Sequence, residues 1–175
     1  MIKEIFTPLK DDAIAQLKMG EMVYITGEVY TARDAAHARL AQMVAAGQEM
    51  PFDFEGNIVF YAGPSPAPTG KVMGSIGPTT AGRMDIFSPL LISRGLKAMV
   101  GKGLRSYTVR QEIKVHRGIY FAGVGGIAAL MSQSIKAVET VAFEDLGTEA
   151  IRKLTVEKLP VIVAIDSKGN CIYDR

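Results

Sequence analysis

Two arginines stand where the chain is predicted to pass from an extended segment into a helix. Arg33 lies within residues 27–37 and Arg83 within residues 77–85. A guanidinium can grip a carboxylate with two hydrogen bonds, and a helix start adds unpaired N–H groups and a partial positive charge. A cation is unfavourable at a helix start that faces only solvent, so its presence at both starts favours anion binding. Two such sites predict a ligand with two carboxylates, although a solvated helix-start arginine is an equally good interpretation of each.

Two threonines and a lysine are further candidates. Thr79 or Thr80 could cap the short helix predicted to follow them. Because a threonine hydroxyl has a very high pKa, it can act as a base only beside a cation or on a strongly acidic substrate proton. Lys102 stands between two glycines. There it suits the negative end of a helix dipole, but the glycines also allow its backbone to approach a ligand closely.

The histidines and the acidic residues near the arginines give weaker signals. His37 lies one turn after Arg33 and is interpreted as an ordinary helix-face histidine, while His116 has no motif around it. Asp34 and Asp85 each closely follow an arginine. We predict that these two carboxylates orient the arginines or cap the helices.

The composition is that of a globular protein with a modest charge. The chain has 175 residues, of which 48% are hydrophobic and 22% charged, with a net charge of +2, so one domain with a real core is expected. A single cysteine, Cys171, cannot hold an iron–sulfur cluster, and no zinc-like spacing exists. We therefore predict no metal site in this chain. The small charge excess gives no case for a nucleic-acid partner.

The hydropathy pattern predicts no membrane partner and a cytoplasmic location. Every apolar stretch is interrupted before it could span a bilayer. The first residues of the sequence lack the apolar run of a signal peptide.

Strand and helix patterns alternate along the chain, which predicts an α/β fold with partly parallel pairing. The predicted strands cover residues 22–30, 58–62, 118–124 and 137–143. The predicted helices cover residues 7–20, the stretch from a Thr31 cap to Gly47, residues 88–100, 106–116 and 127–135, and a last turn over 149–154. A tight glycine turn is expected at residues 125–126, and a hairpin turn at 167–169 closes the chain.

Six stretches, in order and covering nearly the whole chain, carry a resemblance to a known family. They are residues 7–9, 27–37, 77–85, 101–103, 123–130 and 143–147. With these stretches the chain resembles the β subunit, or C-terminal domain, of class I fumarate hydratases and L-tartrate dehydratases. The resemblance is specific because no single short motif carries it.

The resemblance implies a fold and a division of labour between two chains. Residues 1–175 would form a single fumarase C-terminal-like domain, an α/β swivelling β/β/α-type domain with a mixed, partly parallel sheet. A larger α chain would carry a [4Fe–4S] cluster whose one free iron binds a hydroxyl and a carboxylate of the substrate, so this chain itself would bind no cofactor. Arg33, Arg83 and Lys102 would supply cations for the substrate carboxylates, and Thr79 would be the base.

Four functions remain open at this stage. The first is the β subunit of a hydro-lyase that converts (S)-malate to fumarate in a hetero-oligomer and is inactive without its α chain. The second is the β subunit of an L-tartrate dehydratase, which forms oxaloacetate. The third is a non-catalytic dicarboxylate-binding or regulatory module. The fourth, a stand-alone small-molecule enzyme, is disfavoured because the sequence offers no metal ligands.

Overall fold

Strands and helices alternate in the computed structural model, which describes residues 2–64, 67–72, 74, 76–123 and 128–174. The strands are β1 (Lys3–Phe6), β2 (Met22–Thr31), β3 (Ile58–Phe60), β4 (Ala98–Gly101), β5 (Ile119–Ala122), β6 (Ile135–Ala142) and β7 (Ile151–Ile165). The helices are α1 (Asp11–Ala15), α2 (Asp34–Ala45), α3 (Ser88–Ser93), α4 (Tyr107–His116) and α5 (Ala128–Ser134). Two 3-10 helices cover Ala81–Met84 and Glu144–Glu149.

The seven strands form one mixed sheet that closes on itself. Their order is β1-β2-β3-β4-β5-β7-β6, and a further pairing of β2 with β7 closes β2, β3, β4, β5 and β7 into a barrel. Strands β1 to β5 pair in parallel, whereas β7 runs antiparallel to β2, β5 and β6. The predicted α/β class with a mixed, partly parallel sheet is therefore confirmed.

The parallel strands deliver four loops to one edge of the barrel. Strands β2, β3, β4 and β5 all point the same way, so their carboxyl ends lie side by side. In α/β sheets this edge is where ligands bind. The chain segments that follow these strands carry Arg33, Gly63, Lys102 and Gly123.

Along the short central strands, successive residues pack alternately into two apolar clusters. In β3, Ile58 and Phe60 belong to one cluster, while Val59 belongs to the other. Helices α2, α3 and α4 cover the second cluster with Leu40, Leu91 and Val109. Because both faces of these strands are buried, the strands read in sequence as continuous apolar runs.

Local interactions account for both ends of helix α4. Ser106 precedes α4, and its hydroxyl accepts a hydrogen bond from the Val109 amide at 3.2 Å, as expected of an N-cap. Val109 and Ile113, one turn apart, are both buried. Arg117 ends the helix in the left-handed conformation with a φ of 55°. The predicted helix over 106–116 is confirmed.

The helix predicted over residues 88–100 is wrong in its second half. Helix α3 stops at Ser93, Gly95 turns the chain with a φ of +105°, and residues 98–101 form strand β4. A short buried parallel strand and a buried helix segment have the same apolar pattern, so the neighbouring strands β3 and β5 decide the outcome.

Three other local predictions are also wrong. Of the helix predicted over 7–20, only Asp11–Ala15 is helical. Thr31 is the last residue of β2 rather than a helix cap, and Arg33 occupies the cap position without a side-chain cap bond. The helical turn predicted at 149–154 is a 3-10 helix that ends at Glu149, followed by β7.

Candidate active site

The segment that carries Thr79 is inserted between the ends of β3 and β4. The Thr79 amide donates to the Tyr61 carbonyl at 2.7 Å, and the Thr79 carbonyl accepts from the Lys102 amide at 3.1 Å. The Ala81 amide in turn donates to the Lys102 carbonyl at 2.8 Å. These three backbone bonds fix Thr79 beside Lys102 although they are far apart in sequence.

Two glycines allow this close packing. A Cβ atom on Gly101 would lie 2.7 Å from Tyr61 Cδ2 and 2.9 Å from the Ala81 Cβ. A Cβ atom on Gly123 would lie 2.5 Å from Pro78 Cγ. Real Cβ atoms do not approach so closely, so these two positions require glycine for the site segment to reach the sheet edge.

The two arginines singled out in the sequence both lie close to the carboxylate of Asp34. Arg83 donates to Asp34 through two hydrogen bonds, Nε to Oδ2 at 3.0 Å and Nη2 to Oδ1 at 2.9 Å. Arg33 Nε lies 3.9 Å from the same Oδ1 atom. Residues 33 and 83 therefore lie on the same side of the domain, each with one nitrogen within 4 Å of a single oxygen.

Asp34 is an ionised partner for both arginines. Partial burial raises its pKa, but the hydrogen bonds and charge of Arg83 outweigh that effect and hold the pKa of Asp34 below its usual value. Asp85, which sequence reasoning placed beside Arg83, pairs instead with Arg105. The carboxylate that orients Arg83 thus comes from the other arginine segment.

Arg33 has a side-chain donor that is not used within the described residues. Its Nε is buried and has no hydrogen-bond partner among the described residues. The side chain packs against the backbone at Gly63, where an added Cβ would lie 3.2 Å from Arg33 Cδ. The side chain is still 27% exposed, and since Nε is buried this exposure belongs to its other atoms.

The start of helix α2, which carries Arg33 and Asp34, is tied to a distant segment. The Ala35 amide donates to Glu149 Oε1 at 3.0 Å. Arg39, one turn further on, forms two hydrogen bonds with Asp145 at 2.7 and 2.8 Å. The 3-10 helix Glu144–Glu149 therefore supplies the anchor that a side-chain cap at Thr31 was predicted to supply.

His37 lies beneath this site as a neutral residue. It is fully buried, and burial lowers its pKa to about 4. At neutral pH its Nδ1–H donates to the Arg33 carbonyl at 2.8 Å, which leaves Nε2 without a proton and without a partner among the described residues. His37 thus supports the backbone of Arg33 from below instead of lying on an exposed helix face.

Lys102 and the two threonines differ in exposure. Lys102 and Thr80 are exposed, while Thr79 is half-buried. Thr80 is the residue before the 3-10 helix Ala81–Met84, and it makes no side-chain cap bond. Capping, the structural alternative for these threonines, therefore does not account for them within the described residues.

A buried polar cluster under the site was not foreseen from the sequence. Arg105, whose side chain is 0% exposed, pairs with Asp85 at 2.7 Å and donates to Tyr61 Oη at 3.0 Å and Ser88 Oγ at 2.8 Å. Its guanidinium also lies 4.8 Å from the ring centroid of Tyr120. The sequence offered one signal, which was that Arg105 stands three residues after Lys102. It did not indicate burial, because arginine is rare in a core.

The chain's own residues do not fit an iron–sulfur cluster. Such clusters need several thiolates, and the one cysteine of the sequence, Cys171, is buried. Within the described residues, no group of three or more His, Cys, Asp or Glu side chains is arranged to hold a metal ion. Nor does any helix in the described ranges have the length and apolarity needed to cross a membrane.

Residues 124–127 lie outside the described residues, so the tight turn predicted there stays a prediction.

Comparison with curated proteins identifies relatives of two kinds. The chain is 40% identical over 99% of its length to "Fumarate hydratase class I, anaerobic" of Escherichia coli (strain K12), of which it covers 31%. It is 38% identical over 97% of its length to a "Putative L(+)-tartrate dehydratase subunit beta" of Methanocaldococcus jannaschii, covering 90% of that protein. It is 31% identical to the "L(+)-tartrate dehydratase subunit beta" of Escherichia coli (strain K12), covering 86%. The chain thus spans under a third of the fumarate hydratase but most of each β subunit.

The segments that meet at the barrel edge all lie within the part of the chain that these relatives match. A family described as "Fumarase C-terminus" matches residues 4–175. This stretch contains strands β2 to β5, whose carboxyl ends form the edge, and all of β1 except its first residue. The chain belongs to the fumarase C-terminus family.

Proposed function

We propose that this chain is the β subunit of a hydro-lyase that reversibly dehydrates a 2-hydroxy dicarboxylate, (S)-malate to fumarate. The observation that carries the proposal is that Arg33 and Arg83 each have a nitrogen within 4 Å of Asp34 Oδ1, while the segment just before Arg83 brings Thr79 to Lys102. The Asp34 carboxylate supports the proposal because it lies within 4 Å of a nitrogen of each arginine, and a substrate carboxylate has the same shape and charge.

The reaction needs positive charge where this site concentrates it. Dehydration removes a proton from the carbon next to a carboxylate, and that carboxylate becomes doubly charged as the proton leaves. Preorganised cations stabilise the charge where it develops. Arg33, Arg83 and Lys102 are assigned to the two substrate carboxylates, and a planar guanidinium provides two-point orientation as well as charge.

Thr79 is assigned to proton transfer. Its backbone is held by hydrogen bonds to the backbones of Tyr61 and Lys102, so Thr79 lies next to a lysine in the fold. A neighbouring cation is the condition under which a threonine oxygen can act as a base. The exposed Thr80 is the alternative position.

Departure of the hydroxyl is assigned to a partner chain. The relatives named as β subunits imply a separate α subunit, and the residues of this chain do not fit the [4Fe–4S] cluster that the family resemblance places in the partner. The cluster would supply a Lewis acid for the hydroxyl.

Three exposed apolar side chains, called the apolar rim below, are assigned to the surface where the partner docks. Ile86 is 81% exposed, Leu104 64% and Tyr107 76%, and all three closely follow residues of the site in sequence. Exposed apolar groups next to a polar site are typical of protein interfaces. A partner that covers this rim closes the site from water at the same time.

Mixing the two chains tests the proposal. The isolated chain, purified without oxygen and supplied with iron and sulfide, should be colourless and inactive towards malate and fumarate. Addition of the cluster-bearing α chain should give turnover. Turnover by the isolated chain would overturn the two-chain assignment, while an assembled complex that binds dicarboxylates without turnover would identify the non-catalytic module.

Charge substitutions in the rim test the docking site separately. Ile86→Glu and Tyr107→Glu should weaken co-elution with the α chain in size-exclusion chromatography. Val115→Glu is the matched control, because Val115 is 69% exposed but near the other end of α4. Equal loss of assembly in all three variants would contradict the assigned surface.

L-tartrate is the second candidate substrate. The chain covers 86% and 90% of the length of the tartrate dehydratase β subunits, at 31% and 38% identity. The ratio of kcat/KM for (S)-malate and L-tartrate, measured on the assembled complex, decides between the two.

A further inference from the structure

We propose that Arg105 is a positioning residue for the candidate site. In this role it holds the segments that carry Thr79, Arg83 and Lys102 in one arrangement. The inference rests on the proposed function for its kinetic consequences, but its structural consequence can be measured on the chain itself.

All three nitrogens of the Arg105 guanidinium contact side chains around the site. Nε donates to Asp85 Oδ1 at 2.7 Å, and Nη2 donates to Ser88 Oγ at 2.8 Å and Tyr61 Oη at 3.0 Å. Nη1 lies 3.5 Å from the Met99 sulfur. A planar cation with five donors can join several groups in fixed directions, which no other side chain can do.

The first connection leads to Arg83. Asp85 follows Arg83 by two residues, and its two oxygens accept from Arg105 Nε at 2.7 Å and from the Ser106 amide at 2.7 Å. The turn that carries Arg83 is thereby attached to the start of helix α4. Since Ala81–Met84 is only a short 3-10 helix, this attachment fixes the direction from which Arg83 leaves the backbone.

The second connection leads to Thr79. Tyr61 binds Arg105 through its hydroxyl and the Thr79 amide through its carbonyl, at 3.0 and 2.7 Å. A shift of the Tyr61 ring therefore moves the backbone that holds Thr79.

The third connection leads to Lys102. Arg105 lies 4.8 Å from the Tyr120 ring centroid, and the Tyr120 hydroxyl donates to the Gly103 carbonyl at 2.8 Å. Lys102 and Arg105 are also three residues apart on one loop. The three assigned groups are thus each one or two contacts from the same buried guanidinium.

A purely structural role accounts poorly for such a residue. Burying an ion pair costs desolvation that its attraction barely repays, so an apolar side chain of similar volume often stabilises a fold equally well. A buried charge does, however, specify one geometry. The segments joined here contain a short 3-10 helix and loops, and the buried guanidinium adds side-chain contacts to the backbone bonds that hold Thr79 beside Lys102.

The experiment compares Arg105→Lys with Arg110→Lys. Lysine keeps the charge but can satisfy Asp85 without the fork to Tyr61 and Ser88. Arg110, on helix α4 just after Arg105 in sequence, forms an equally close pair with Asp174 at 2.6 Å, and it serves as the control for the loss of a guanidinium.

The first readout is the NMR signal of the Arg83 Nε–H group in the full chain, assigned by its absence in Arg83→Lys. In Arg105→Lys we expect a folded chain in which this signal shifts or broadens, while it is unchanged in Arg110→Lys. A folded Arg105→Lys chain with an unchanged Arg83 signal would overturn the proposal. If Arg105→Lys does not fold, Asp85→Asn is measured instead, and an unchanged signal or unfolding there likewise overturns it.

The second readout is kcat/KM of the assembled complex, compared between the single and double variants. Arg105→Lys should lower kcat/KM about tenfold or more, because small misplacements of binding groups are costly. If Arg105 acts through Arg83, the double variant Arg83→Lys/Arg105→Lys should be little worse than Arg83→Lys alone. Multiplied losses would mean that Arg105 acts independently. Absence of turnover in the unsubstituted complex would refute the proposed function, and the NMR result would still decide whether Arg105 positions Arg83.

Discussion

Arg83 and Asp34 form a two-point ion pair across 49 residues of sequence, with N–O distances of 3.0 and 2.9 Å. The same carboxylate has Arg33 Nε at 3.9 Å. Two guanidinium groups placed this close would repel each other without an anion between them. Asp34 therefore offsets the repulsion between the two arginines.

Replacing Asp34 by asparagine should disperse the two arginines. Asparagine keeps the shape but loses the charge, so repulsion between Arg33 and Arg83 is no longer offset. We expect kcat/KM of the assembled complex to fall about tenfold through lost preorganisation. Asp145→Asn is the matched control, because Asp145 forms an equivalent pair with Arg39 on the same helix. Activity above that of the unsubstituted complex would show instead that Asp34 competes with the substrate for Arg83.

Arg83→Lys should damage catalysis more than the fold. Lysine keeps the charge but has no planar two-point grip, so we expect kcat/KM to fall about 10- to 100-fold. The melting temperature should change little because the side chain is half exposed and outside the core. Arg110→Lys, which alters the surface pair with Asp174, should leave kcat/KM unchanged. A much lower melting temperature with full activity would make Arg83 a structural residue.

Substitutions at Thr79 should separate proton transfer from structure. If its hydroxyl moves the proton, Thr79→Ala should lower kcat about 10²- to 10⁴-fold while Thr79→Ser retains much of the activity. Stability should change by less than about 0.5 kcal/mol, as for substitutions that remove no cap or core contact. Thr80→Ala is the control and should stay active. An inactive Thr80→Ala beside an active Thr79→Ala would move the base by one residue.

His37 should make the fold less stable in acid. Its pKa is about 4 in the folded chain against 6.5 as the ordinary value, so between these pH values the unfolded chain binds the proton more strongly. The free energy of unfolding should fall as pH drops from 6.5 to 4, by up to about 3 kcal/mol. Denaturant melts at several pH values would measure this slope.

His37→Gln should flatten the slope between pH 6.5 and 4, because glutamine does not titrate. His116→Gln is the control, since His116 is exposed beside Glu112. A slope that survives His37→Gln would assign the acid sensitivity to another group.

The sequence by itself determined the elements whose signals are local. Strand β2 and helix α4 were predicted within a residue or two, since a run of β-branched residues and a serine cap act over short distances. Residue type and spacing also singled out Arg33, Arg83 and Lys102 and left Thr79 and Thr80 as alternatives, between which the family resemblance favoured Thr79. Their roles stay predictions, but their positions at one edge follow from parallel pairing of the strands that precede or flank them.

Tertiary structure decided which partners these residues have. The sequence suggested that Asp85 orients its neighbour Arg83, whereas the fold pairs Asp85 with Arg105 and gives Arg83 to Asp34. Likewise, residues 98–100 are a strand only because β3 and β5 lie on either side. Local sequence patterns predict secondary structure and contacts between residues close in sequence. Closure of the barrel brings distant loops to one edge, and the burial of Arg105 and His37 beneath that edge depends on contacts that no local pattern encodes.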